Sequence, residues 1–391
     1  MPDLSVLVIH NCYQQPGGED AVVRAEVEQL LRRGHRVIQY KRNNAEIAGY
    51  GLLRKAPLGF NTIWNARTYA ALSKLIRRER PDVAHMHNFF PLVSPAAHHA
   101  CKAAGVAVLQ TLHNYRLVCP SATRFSQGER CNESSQSWAR CMRIGCYHHS
   151  KLHTAAVTAM LAAHRAAGTW QRCVDAYFVP SEFCRQSFAA TGLPANKLNV
   201  KPNFLAQDPG PRTTAGDYAL FVGRLSPEKG VVEMVRAWAQ LPEIPLLIAG
   251  DGPLRPAMER ARGGRKDHIK LLRQLTSDAV IAYLKGARFL LFPSRWHEPF
   301  GMVLLEAAAC GVPVIGSRIG AVPELVIDGE TGLLFDPDNL DELVQHARWA
   351  WTHPAEMEQM GLAARQLYLQ KFTPDKSYDV WMSVCRTLLK Q

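Results

Sequence analysis

The order in which apolar runs, glycines and amphipathic segments follow one another constrains the fold of this chain most. Residues 4–10 form an apolar run, a glycine pair follows at 17–18, and residues 21–33 carry an apolar face at helical spacing. Asp20 is predicted to be the N-cap of this helix. Residues 35–40 then return to a strand-like pattern. Parallel strands need a crossover between them, so this order predicts a βαβ unit with a glycine loop.

The same alternation continues through both halves of the chain. Strands are predicted at 83–87, 106–112, 176–180 and 199–202, and in a second series at 218–222, 245–249, 269–271, 289–292 and 313–316. Helices are predicted at 62–79, 152–172, 231–240, 254–262, 278–285 and 302–310. A connector rich in Pro, Gly and small polar residues, 204–217, separates the series. We therefore predict an α/β protein with an N-terminal domain (1–206), a C-terminal domain (207–374) and a final helix (375–391).

The net charge lies almost entirely in the first half. Residues 1–206 contain 25 Lys and Arg against 12 Asp and Glu, a net charge of +13, whereas residues 207–391 have a net charge of −1. A basic half is either a solvated surface or a surface for an anionic partner, such as lipid headgroups or a diphosphate-linked lipid. Nucleic acid is disfavoured because the basic residues are scattered and no RNA-binding signature organises them.

Composition and the N-terminus limit where such a chain is expected to work. An apolar content of 47% is typical of a globular protein. No run approaches 18 apolar residues, so no membrane-spanning helix is predicted. The first residues have no basic segment before the apolar run, and we interpret them as a strand and not as a signal peptide. We expect a cytoplasmic protein, peripheral on the cytoplasmic face of the inner membrane where its acceptor requires it.

Two glutamates eight positions apart, Glu298 and Glu306, point to the chemistry. The first follows a predicted strand on a loop, and the second lies in the predicted helix that Gly311 ends. Eight helical residues span about 12 Å, the scale of a sugar joined through a diphosphate to a ribose. The helix N-terminus between them suits phosphate. This arrangement favours a nucleotide-sugar site over a glycosidase acid/base pair, whose carboxylates lie closer together.

A second motif supplies cations. Residues 221–230 follow the first strand of the second half and contain Arg224 and Lys229, five positions apart, before a glycine that opens a helix. Arginine binds phosphate oxygens through its fork and lysine as a point charge. Two solvated loop cations are the alternative interpretation. A further glycine turn, at 250–252, is a generic feature by itself.

The combination of motifs is more specific than its parts. GRLSPEKG, IAGDGP, EPFGMVLLEAAACGVPVIGS and GAVPELVIDGETGLLF occur in this order. Together they resemble retaining glycosyltransferase family 4, also described as glycosyl transferases group 1. QQPGGED, RRGHRV and TLHNYRLVCP match the family less distinctively. The resemblance implies the GT-B fold, in which two Rossmann-like domains face each other across a cleft and the C-terminal helix crosses back to the N-terminal domain.

The resemblance also implies residue roles and a reaction. The implied catalytic residues are Glu298, His113, Arg224 and Lys229. The implied donor-binding residues are Gly17, Gly18, Gly223, Arg224, Lys229, Leu272, Glu298, Phe300, Gly301, Met302 and Glu306. The expected activity moves a sugar from a nucleoside diphosphate to an acceptor hydroxyl with retention, and no protein nucleophile is assigned. The one Asp-x-Asp, at 336–338, follows the donor motifs and is interpreted as a turn, so no catalytic metal is expected.

The acceptor is expected to be a saccharide, and the basic half favours a lipid-linked one of cell-envelope, capsular or exopolysaccharide biosynthesis. A sugar phosphorylase or a nucleotide-sugar epimerase of the same fold is an alternative, as is a non-catalytic nucleotide-sugar-binding subunit. A dinucleotide-dependent oxidoreductase is disfavoured because no G-x-G-x-x-G follows the first strand.

Four cysteines form an insert near 119–149: Cys119, Cys131, Cys141 and Cys146. A structural zinc ion is one hypothesis for them. The insert has no C-x-x-C pair, since Ser134 stands three positions after the second cysteine, and this favours reduced, unligated thiols. Histidines are weighed separately: His113 is assigned to the site by the resemblance, whereas His10, His85 and His87 are interpreted as hydrogen-bonded core residues.

Overall fold

A computed structural model describes residues 3–14, 17–51, 58–131, 137–214, 216–265 and 267–390. The chain divides into two compact units, one of residues 1–126, 131–206 and 374–391, the other of 127–130 and 207–373. Each unit is built on a six-stranded sheet flanked by helices. The prediction of two Rossmann-like α/β domains is confirmed. Among the described residues, no helix has both the length and the apolar character that crossing a membrane requires.

The strands are β1 (Ser5–Cys12), β2 (Arg36–Asn43), β3 (Val83–Met86), β4 (Ala107–Thr111), β5 (Phe125–Ser126), β6 (Glu129–Arg130), β7 (Ala176–Val179), β8 (Leu198–Val200), β9 (Ala219–Val222), β10 (Leu246–Ala249), β11 (Ile269–Leu271), β12 (Phe289–Phe292), β13 (Val314–Ser317) and β14 (Gly332–Phe335). The α-helices are α1 (Gly18–Arg32), α2 (Leu58–Ile63), α3 (Ala66–Glu79), α4 (Ala96–Ala103), α5 (Trp138–Ile144), α6 (Lys151–Ala166), α7 (Thr169–Arg172), α8 (Glu182–Ala190), α9 (Val231–Ala237), α10 (Arg255–Arg262), α11 (Ser277–Lys285), α12 (Met302–Ala309), α13 (Val322–Leu325), α14 (Leu340–Thr352), α15 (Pro354–Lys371) and α16 (Pro374–Leu389). Short 3₁₀ turns lie at Asn44–Gly49, Ala195–Lys197, Pro227–Lys229 and Trp238–Gln240.

The first sheet has the order β2-β1-β3-β4-β7-β8 and its strands pair in parallel. β3 is buried along its whole length and pairs with β1 in the register Val6↔Val83. Residues that follow β1, β3 and β4 therefore emerge side by side at one edge of the sheet. This edge carries the Gly17 loop and His113.

The second sheet has the order β11-β10-β9-β12-β13-β14, again in parallel. Its core contains large buried side chains, among them Phe221, Trp238, Phe289 and Phe335. β9 and β12 are neighbours in the centre, with Phe289 opposite Ala219. The loops that follow these two strands carry the donor motifs, so the topology alone brings the motifs together.

The C-terminal helix α16 belongs to the first unit. Its Trp381, Met382 and Cys385 join the core beneath the first sheet. Tyr378 Oη lies 2.7 Å from His35 Nε2, and Asp375 pairs with Arg33. The expectation that the last helix returns to the N-terminal domain is confirmed.

Three predicted helices differ from the structure in a break or in a cap. The predicted helix 62–79 is two helices, because Asn65 caps a new one with its side chain accepting from Thr68 N. The predicted helix 152–172 is broken at Gly168, which has φ of +63°. The first helix begins at Gly18 with Gly17 as N-cap, so the prediction of Asp20 as N-cap is wrong. Asp20 lies in the first turn and accepts a hydrogen bond from Gly17 N at 3.1 Å.

Candidate active site

Glu298 is the most densely bonded of the predicted site residues in the second unit. It follows β12 and is 6% exposed. Its Oε2 atom accepts hydrogen bonds from Lys229 Nζ at 2.7 Å, Ser294 Oγ at 2.9 Å and Trp296 Nε1 at 2.7 Å. Three donors on one oxygen, one of them a cation, hold the carboxylate in one orientation. Ser294 and Trp296 were not predicted from the sequence, although both lie within four residues of the glutamate.

The backbone of Glu298 is held by the turn after β13. Gly320 has φ of +58°, and a Cβ atom there would lie 2.5 Å from both the N and O atoms of Glu298. Ala321 donates its N–H to Glu298 O at 2.9 Å. Only glycine permits this approach. The GAVPEL motif therefore has a structural reason, which is to fix the loop that carries the glutamate.

Two further glycines fix the backbone of the cationic loop, the loop after β9 that carries Arg224 and Lys229. Gly230 has φ of +64°, and a Cβ atom there would lie 2.2 Å from Pro293 O. Gly250 has φ of +147°, and its Cβ atom would lie 1.9 Å from Gly223 O. Neither position accepts a side chain without a backbone shift. The loops after β9, β10 and β12 consequently pack backbone against backbone, which brings Lys229 to Glu298.

The two predicted phosphate-binding cations are placed differently. Lys229 is partly buried, and its Nζ atom lies 5.3 Å from the Phe292 ring centroid as well as against Glu298. Arg224 is exposed, and its guanidinium has no hydrogen bond or ion pair with any residue that the structure describes. An exposed guanidinium keeps its five N–H donors available for a phosphate group. Arg224 is thus the freer of the two.

Glu306 lies in α12, beyond the N-terminus that Gly301 caps with φ of +100°. The first N–H groups of a helix lack intrahelical acceptors. Here these are the N–H groups of Met302 and Val303, because Leu304 N and Leu305 N donate to Gly301 O. The Glu306 side chain is half-buried and has no hydrogen bond or ion pair within the described part of the chain. Burial raises its pKa to about 7. A carboxylate in this situation is stabilised by any ligand that donates hydroxyl hydrogen bonds to it.

Two further predicted donor-site residues, Phe300 and Leu272, are engaged in contacts within the second unit. Phe300 is 3% exposed, with its ring 5.9 Å from that of Phe372. Leu272 follows β11; its N–H donates to Ile248 O at 2.8 Å, and its carbonyl accepts from Arg255 at 2.9 Å. The carbonyl of Leu272 has a second lone pair that could accept a hydrogen bond from a nucleotide base. Recognition of a base at Leu272 stays a prediction.

In the first unit, the glycine loop has room beside it. Gly17 has φ of −129°, an ordinary value, and a Cβ atom there would meet nothing within 4 Å. Gly18 is exposed at the start of α1. The fold itself therefore gives no reason for glycine at position 17, whereas a ligand that approaches the backbone would. Gln15 and Pro16 of the same motif lie outside the described residues.

Acidic residues flank this loop. His10 Nε2 lies 2.8 Å from Asp20 Oδ1. Burial would raise the pKa of Asp20, but the hydrogen bonds from His10 and Gly17 N outweigh it and lower the pKa overall. Glu19 accepts from Tyr13 Oη at 2.9 Å, and burial raises its pKa to about 7 against the opposing charge of His10. Gly17 N–H is thus engaged by the ionised Asp20, while the carboxyl group of Glu19 is easily neutralised.

His113 follows β4 and is partly exposed. Its Nε2 atom lies 3.0 Å from His87 Nδ1, and the two rings stack with centroids 5.3 Å apart. Burial is the main cause that lowers the pKa of His113 to about 3, so the ring is neutral. His87 was interpreted as an ordinary core histidine, and its contact with His113 was missed. The signal in the sequence was the His-x-His spacing, which places His85 and His87 on one face of the same strand.

Behind His87 lies a buried ion pair. Lys201 Nζ is 2.6 Å from Glu26 Oε1, and both side chains are at most 5% exposed. Lys201 also donates to Ser377 Oγ of α16 at 3.3 Å. Burial would raise the pKa of Glu26, but Lys201 and His87 lower it overall, so this carboxylate is ionised. Neither Glu26 nor Lys201 was predicted from the sequence.

The insert cysteines are near one another without forming a tight group. Cys146 N donates to Cys141 O at 3.1 Å across the end of α5. A hydrogen bond between these two thiols lowers the pKa of Cys146 to about 6, and Cys119, Cys131 and Cys146 all raise the pKa of Cys141. Among the described residues, the two sets of three ligand atoms within 4.8 Å of one another are His10, Cys12 and Asp20, and Glu26, His85 and His87. Ser134 lies outside the described residues.

Two family models match this chain and together cover residues 16–367. Residues 16–207 match the model described as Glycosyltransferase Family 4, and residues 208–367 the model described as Glycosyl transferases group 1. A GDP-mannose-dependent alpha-(1-6)-phosphatidylinositol monomannoside mannosyltransferase of Mycolicibacterium smegmatis is 30% identical over 217 residues, which cover 49% of this chain and 57% of that protein. The chain spans about half the length of the curated relatives it matches. The matched share is 57% of the mannosyltransferase and 37% of a glycosyltransferase of Methanocaldococcus jannaschii.

Solved structures show the same fold over the whole chain. A sucrose-phosphate synthase of Thermosynechococcus elongatus superposes with a TM-score of 0.73 at 19% identity, covering 99% of each chain. The Anabaena protein Alr3699/HepE, in complex with UDP and glucose, superposes with a TM-score of 0.68 at 17% identity, covering 99% of this chain and 100% of that one. These likenesses concern the fold.

Proposed function

Because this chain belongs to glycosyltransferase family 4, with the GT-B fold, we propose that it transfers a sugar with retention from a nucleoside diphosphate to an acceptor hydroxyl. The observation that carries the proposal is the Glu298 cluster. A carboxylate held by Lys229, Ser294 and Trp296 stands at the edge of the sheet where the exposed Arg224 and the start of α12 also lie.

The cluster suits the charge that the reaction develops. Breaking the bond between a sugar and a diphosphate leaves negative charge on the phosphate oxygens. Lys229 and the N–H groups at the start of α12 are held in place by the fold, and the exposed Arg224 is available beside them. All three interact more strongly with that charge than with the ground state. The carboxylate of Glu298 accepts hydrogen bonds from sugar hydroxyls. Glu306 accepts them from the ribose diol, which relieves its burial as an uncompensated charge.

We propose that no metal ion takes part in the transfer. The one Asp-x-Asp is engaged in a turn, since Asp338 N donates to Asp336 Oδ1 at 2.9 Å. Two cations and a helix N-terminus supply the positive charge that a divalent ion supplies elsewhere. Release of nucleoside diphosphate in the presence of a chelator tests this; abolition by the chelator and rescue by magnesium would contradict it.

The test of the donor site is a thermal-shift panel of nucleoside diphosphates and their sugar conjugates. A ligand that binds the native protein raises its melting temperature by mass action. We expect Glu306→Gln to reduce the shift from the bare nucleotide, and Glu298→Gln to reduce only the extra shift that the sugar adds. Glu330→Gln, on an exposed turn of the same unit, is the matched control. Equal losses in both variants would contradict the proposed division of roles.

The alternatives give different products. A phosphorylase releases sugar phosphate when inorganic phosphate is the co-substrate, and an epimerase interconverts nucleotide sugars without an acceptor. A non-catalytic binding subunit releases no nucleoside diphosphate with any acceptor. Chromatography of the products from the best-bound nucleotide sugar separates these cases from transfer.

We propose that the acceptor is a lipid-linked saccharide and that the protein is cytoplasmic and works at the inner membrane surface. Two exposed apolar side chains of the first unit lie on neighbouring helices: Phe60 on α2 and Leu152 at the start of α6 are each 78% exposed. α2 packs on α6, because a Cβ atom at Gly59 would lie 3.6 Å from Ala156 Cβ. Lys151 is exposed beside Leu152, and residues 1–206 carry a net charge of +13. Apolar anchors among cations suit an anionic lipid surface.

Sedimentation with lipid vesicles tests this surface. We expect binding to vesicles that contain anionic lipid, weaker binding to neutral vesicles, and a loss of binding in Phe60→Ser/Leu152→Ser. Leu362→Ser, at an exposed leucine of the second unit, is the control. Binding that is unaffected by lipid charge and by the double variant would rule out the membrane part of the proposal and leave the transferase part standing.

The zinc hypothesis for the insert stands as a separate proposal. Cys119, Cys131, Cys141 and Cys146 provide four thiols, a ligand set that zinc accepts. Elemental analysis of protein purified without chelators tests it. One zinc per chain that is lost in Cys141→Ser/Cys146→Ser would support the hypothesis, and the same metal content in both proteins would contradict it.

A further inference from the structure

The hydrogen-bond pattern around the buried Glu26 restricts the protonation of two histidines. Glu26 Oε2 has no hydrogen-bond partner among the described residues, and it lies 3.6 Å from His85 Nδ1 and 3.7 Å from His87 Nε2. Its other oxygen is held by Lys201. An ionised carboxylate oxygen this close to two ring nitrogens stabilises a tautomer in which one of these nitrogens is protonated and faces it.

His85 does not supply that proton. Its Nδ1 atom accepts a hydrogen bond from Trp381 Nε1 at 3.3 Å, and an indole N–H is only a donor. Burial lowers the pKa of His85 well below its usual value, so the ring is neutral and has one proton. That proton lies on Nε2, which faces Thr111 Oγ1 at 2.8 Å.

His87 therefore directs its proton to the carboxylate. Its Nε2 atom is buried without a hydrogen-bond partner and faces Glu26 Oε2. Burial lowers the pKa of His87 as well, so it also has one proton. A lone pair on Nε2 would face the negative oxygen, whereas an N–H there is attracted to it. With its proton on Nε2, His87 has a lone pair on Nδ1, 3.0 Å from His113 Nε2.

The same rule then fixes His113. A neutral ring next to an acceptor at 3.0 Å carries its proton on the facing nitrogen, which is Nε2. The other nitrogen, Nδ1, has no hydrogen-bond partner among the described residues, and the side chain is partly exposed. We propose that Glu26 and His87 are positioning residues that hold His113 with an unprotonated Nδ1, which accepts a hydrogen bond from a hydroxyl of the bound saccharide.

The identity of the ligand as a saccharide rests on the proposed function, whereas the tautomer of His113 does not. A divalent cation between Glu26, His85 and His87 is the competing interpretation, because a carboxylate and two imidazoles converge there. The Lys201 ammonium at 2.6 Å from Glu26 opposes a second cation, and His85 Nδ1 is already engaged. These two contacts favour a chain of hydrogen bonds through His87 over a metal ion.

Nitrogen-15 NMR of the whole protein with labelled histidine tests the tautomer directly. The chain has 15 histidines, and His113 is identified by the signals that disappear in His113→Asn. We expect a protonated Nε2 and an unprotonated Nδ1 in His113 of the wild-type protein. A proton on Nδ1, or a stoichiometric metal ion in elemental analysis that is lost in His87→Asn, would overturn the proposal.

Glu26→Gln is the variant that reverses the tautomer. Lys201 attracts the amide oxygen, so the NH₂ group faces His87 Nε2 and donates to it. The protons of His87 and His113 then move to Nδ1 in both rings. The variant leaves Lys201 without a carboxylate, which destabilises the protein. Glu26→Leu/Lys201→Met removes the carboxylate together with that charge, so the double variant should lose the preference for a proton on Nε2 of His87. An undiminished preference for a protonated Nε2 of His113 in the folded double variant would contradict the mechanism.

Titration separates this proposal from the proposed function. A sugar nucleotide such as UDP-glucose or GDP-mannose should shift the His113 Nδ1 signal, and the bare nucleoside diphosphate should not. For turnover, His87→Leu is expected to lower kcat/KM by about tenfold, the value of one lost hydrogen bond, while His87→Asn retains an acceptor oxygen and most of the activity. The predicted tautomer without any shift would leave the positioning argument intact and contradict the saccharide ligand.

Discussion

At the scale of single residues, Gly17 separates a functional requirement from a structural one. Its φ of −129° suits any residue, and a Cβ atom would meet nothing within 4 Å. We expect Gly17→Ala to lower the melting temperature by only about 1 to 4 °C, because alanine at the N-cap of α1 is about 0.5–1 kcal/mol less favourable than glycine. The same variant should raise KM for the nucleotide sugar, because the methyl group occupies the space of the ligand.

Gly192→Ala is the contrasting variant. Gly192 also has open space around its Cβ position, but its φ is +92°. It should therefore lower stability by about 1 kcal/mol without changing KM. A Gly17→Ala protein with an unchanged KM would remove the glycine loop from the donor site.

Cys146 offers a second test at this scale, through the rate of alkylation. A hydrogen bond from Cys141 lowers the pKa of Cys146 to about 6, whereas burial raises the pKa of Cys131 to about 11. Because the thiolate is the reacting species, iodoacetamide at pH 7 should modify Cys146 well before Cys131. Peptide mass spectrometry follows both sites in one sample. Faster labelling of Cys131, or an unchanged rate at Cys146 in Cys141→Ala, would contradict the thiol pair.

The roles of site residues were predictable where a single sequence motif places the residues on one loop. Glu298 was found from its place after a strand, but Lys229 is 69 positions away and its contact with that carboxylate follows from the neighbouring strands β9 and β12. His87 was missed because a strand pattern does not show which ring lies opposite His113. Long-range partners of this kind depend on strand order, which a single sequence does not reveal.

At the scale of elements, the turn at Gly230 is expected to determine the whole cationic loop. Gly230 and Gly329 have similar φ angles, +64° and +73°, so alanine strains both backbones alike. A Cβ atom at Gly230 would lie 2.2 Å from Pro293 O, whereas one at Gly329 would meet nothing within 4 Å. Gly329→Ala should reduce the free energy of unfolding by about 1 kcal/mol. Gly230→Ala should reduce it by more and should also abolish nucleotide-sugar binding.

Urea unfolding and the thermal shift with a bound nucleotide sugar measure the two effects. Equal destabilisation by the two alanines would mean that the loops after β9 and β12 do not pack as described.

The breaks in the predicted helices also have their origin in backbone geometry. Periodicity alone allowed Asn65 and Gly168 inside a helix. In the structure each is the N-cap of a new helix, Asn65 through its side chain and Gly168 with a left-handed backbone.

At the scale of the whole molecule, the fold class was predictable because βαβ alternation admits few topologies. The return of α16 to the first unit was expected from the family resemblance and not from any local pattern. Trp381 explains it physically: the side chain is 2% exposed in the first core and donates to His85. The last helix thus closes the core that supports His87 and His113.

The two units should respond differently to acid. In the first unit, burial lowers the pKa of His85 and His87 well below the usual value, of His98 to about 4 and of His113 to about 3. Above pH 6.5 these rings are neutral in both the folded and the unfolded chain. As the pH falls below 6.5, the unfolded chain binds protons first, so this stability is lost progressively toward the folded pKa values. For His98 the loss between pH 7 and 5.5 is about 1 kcal/mol.

The carboxyl groups whose pKa values are raised have the opposite effect on stability. Glu19 in the first unit and Glu306 in the second have pKa values of about 7, so each adds stability as the pH falls from 7 toward the unfolded value near 4.5. Among the described residues of the first unit, eight histidines have lowered pKa values and oppose one such glutamate. We therefore expect acid between pH 6.5 and 5 to destabilise the first unit and not the second.

Hydrogen exchange read by mass spectrometry resolves the two units when it is corrected for the intrinsic pH dependence of exchange. Peptides from β3 and β4 should lose protection between pH 7 and 5.5, while peptides from β9 and β12 keep theirs. His98→Asn removes one of the titrating groups and should flatten the loss, because fewer protons are then taken up on unfolding. Equal loss in both sheets would mean that the buried histidines do not control the acid stability, and it would also weaken the argument that His87 and His113 are held neutral.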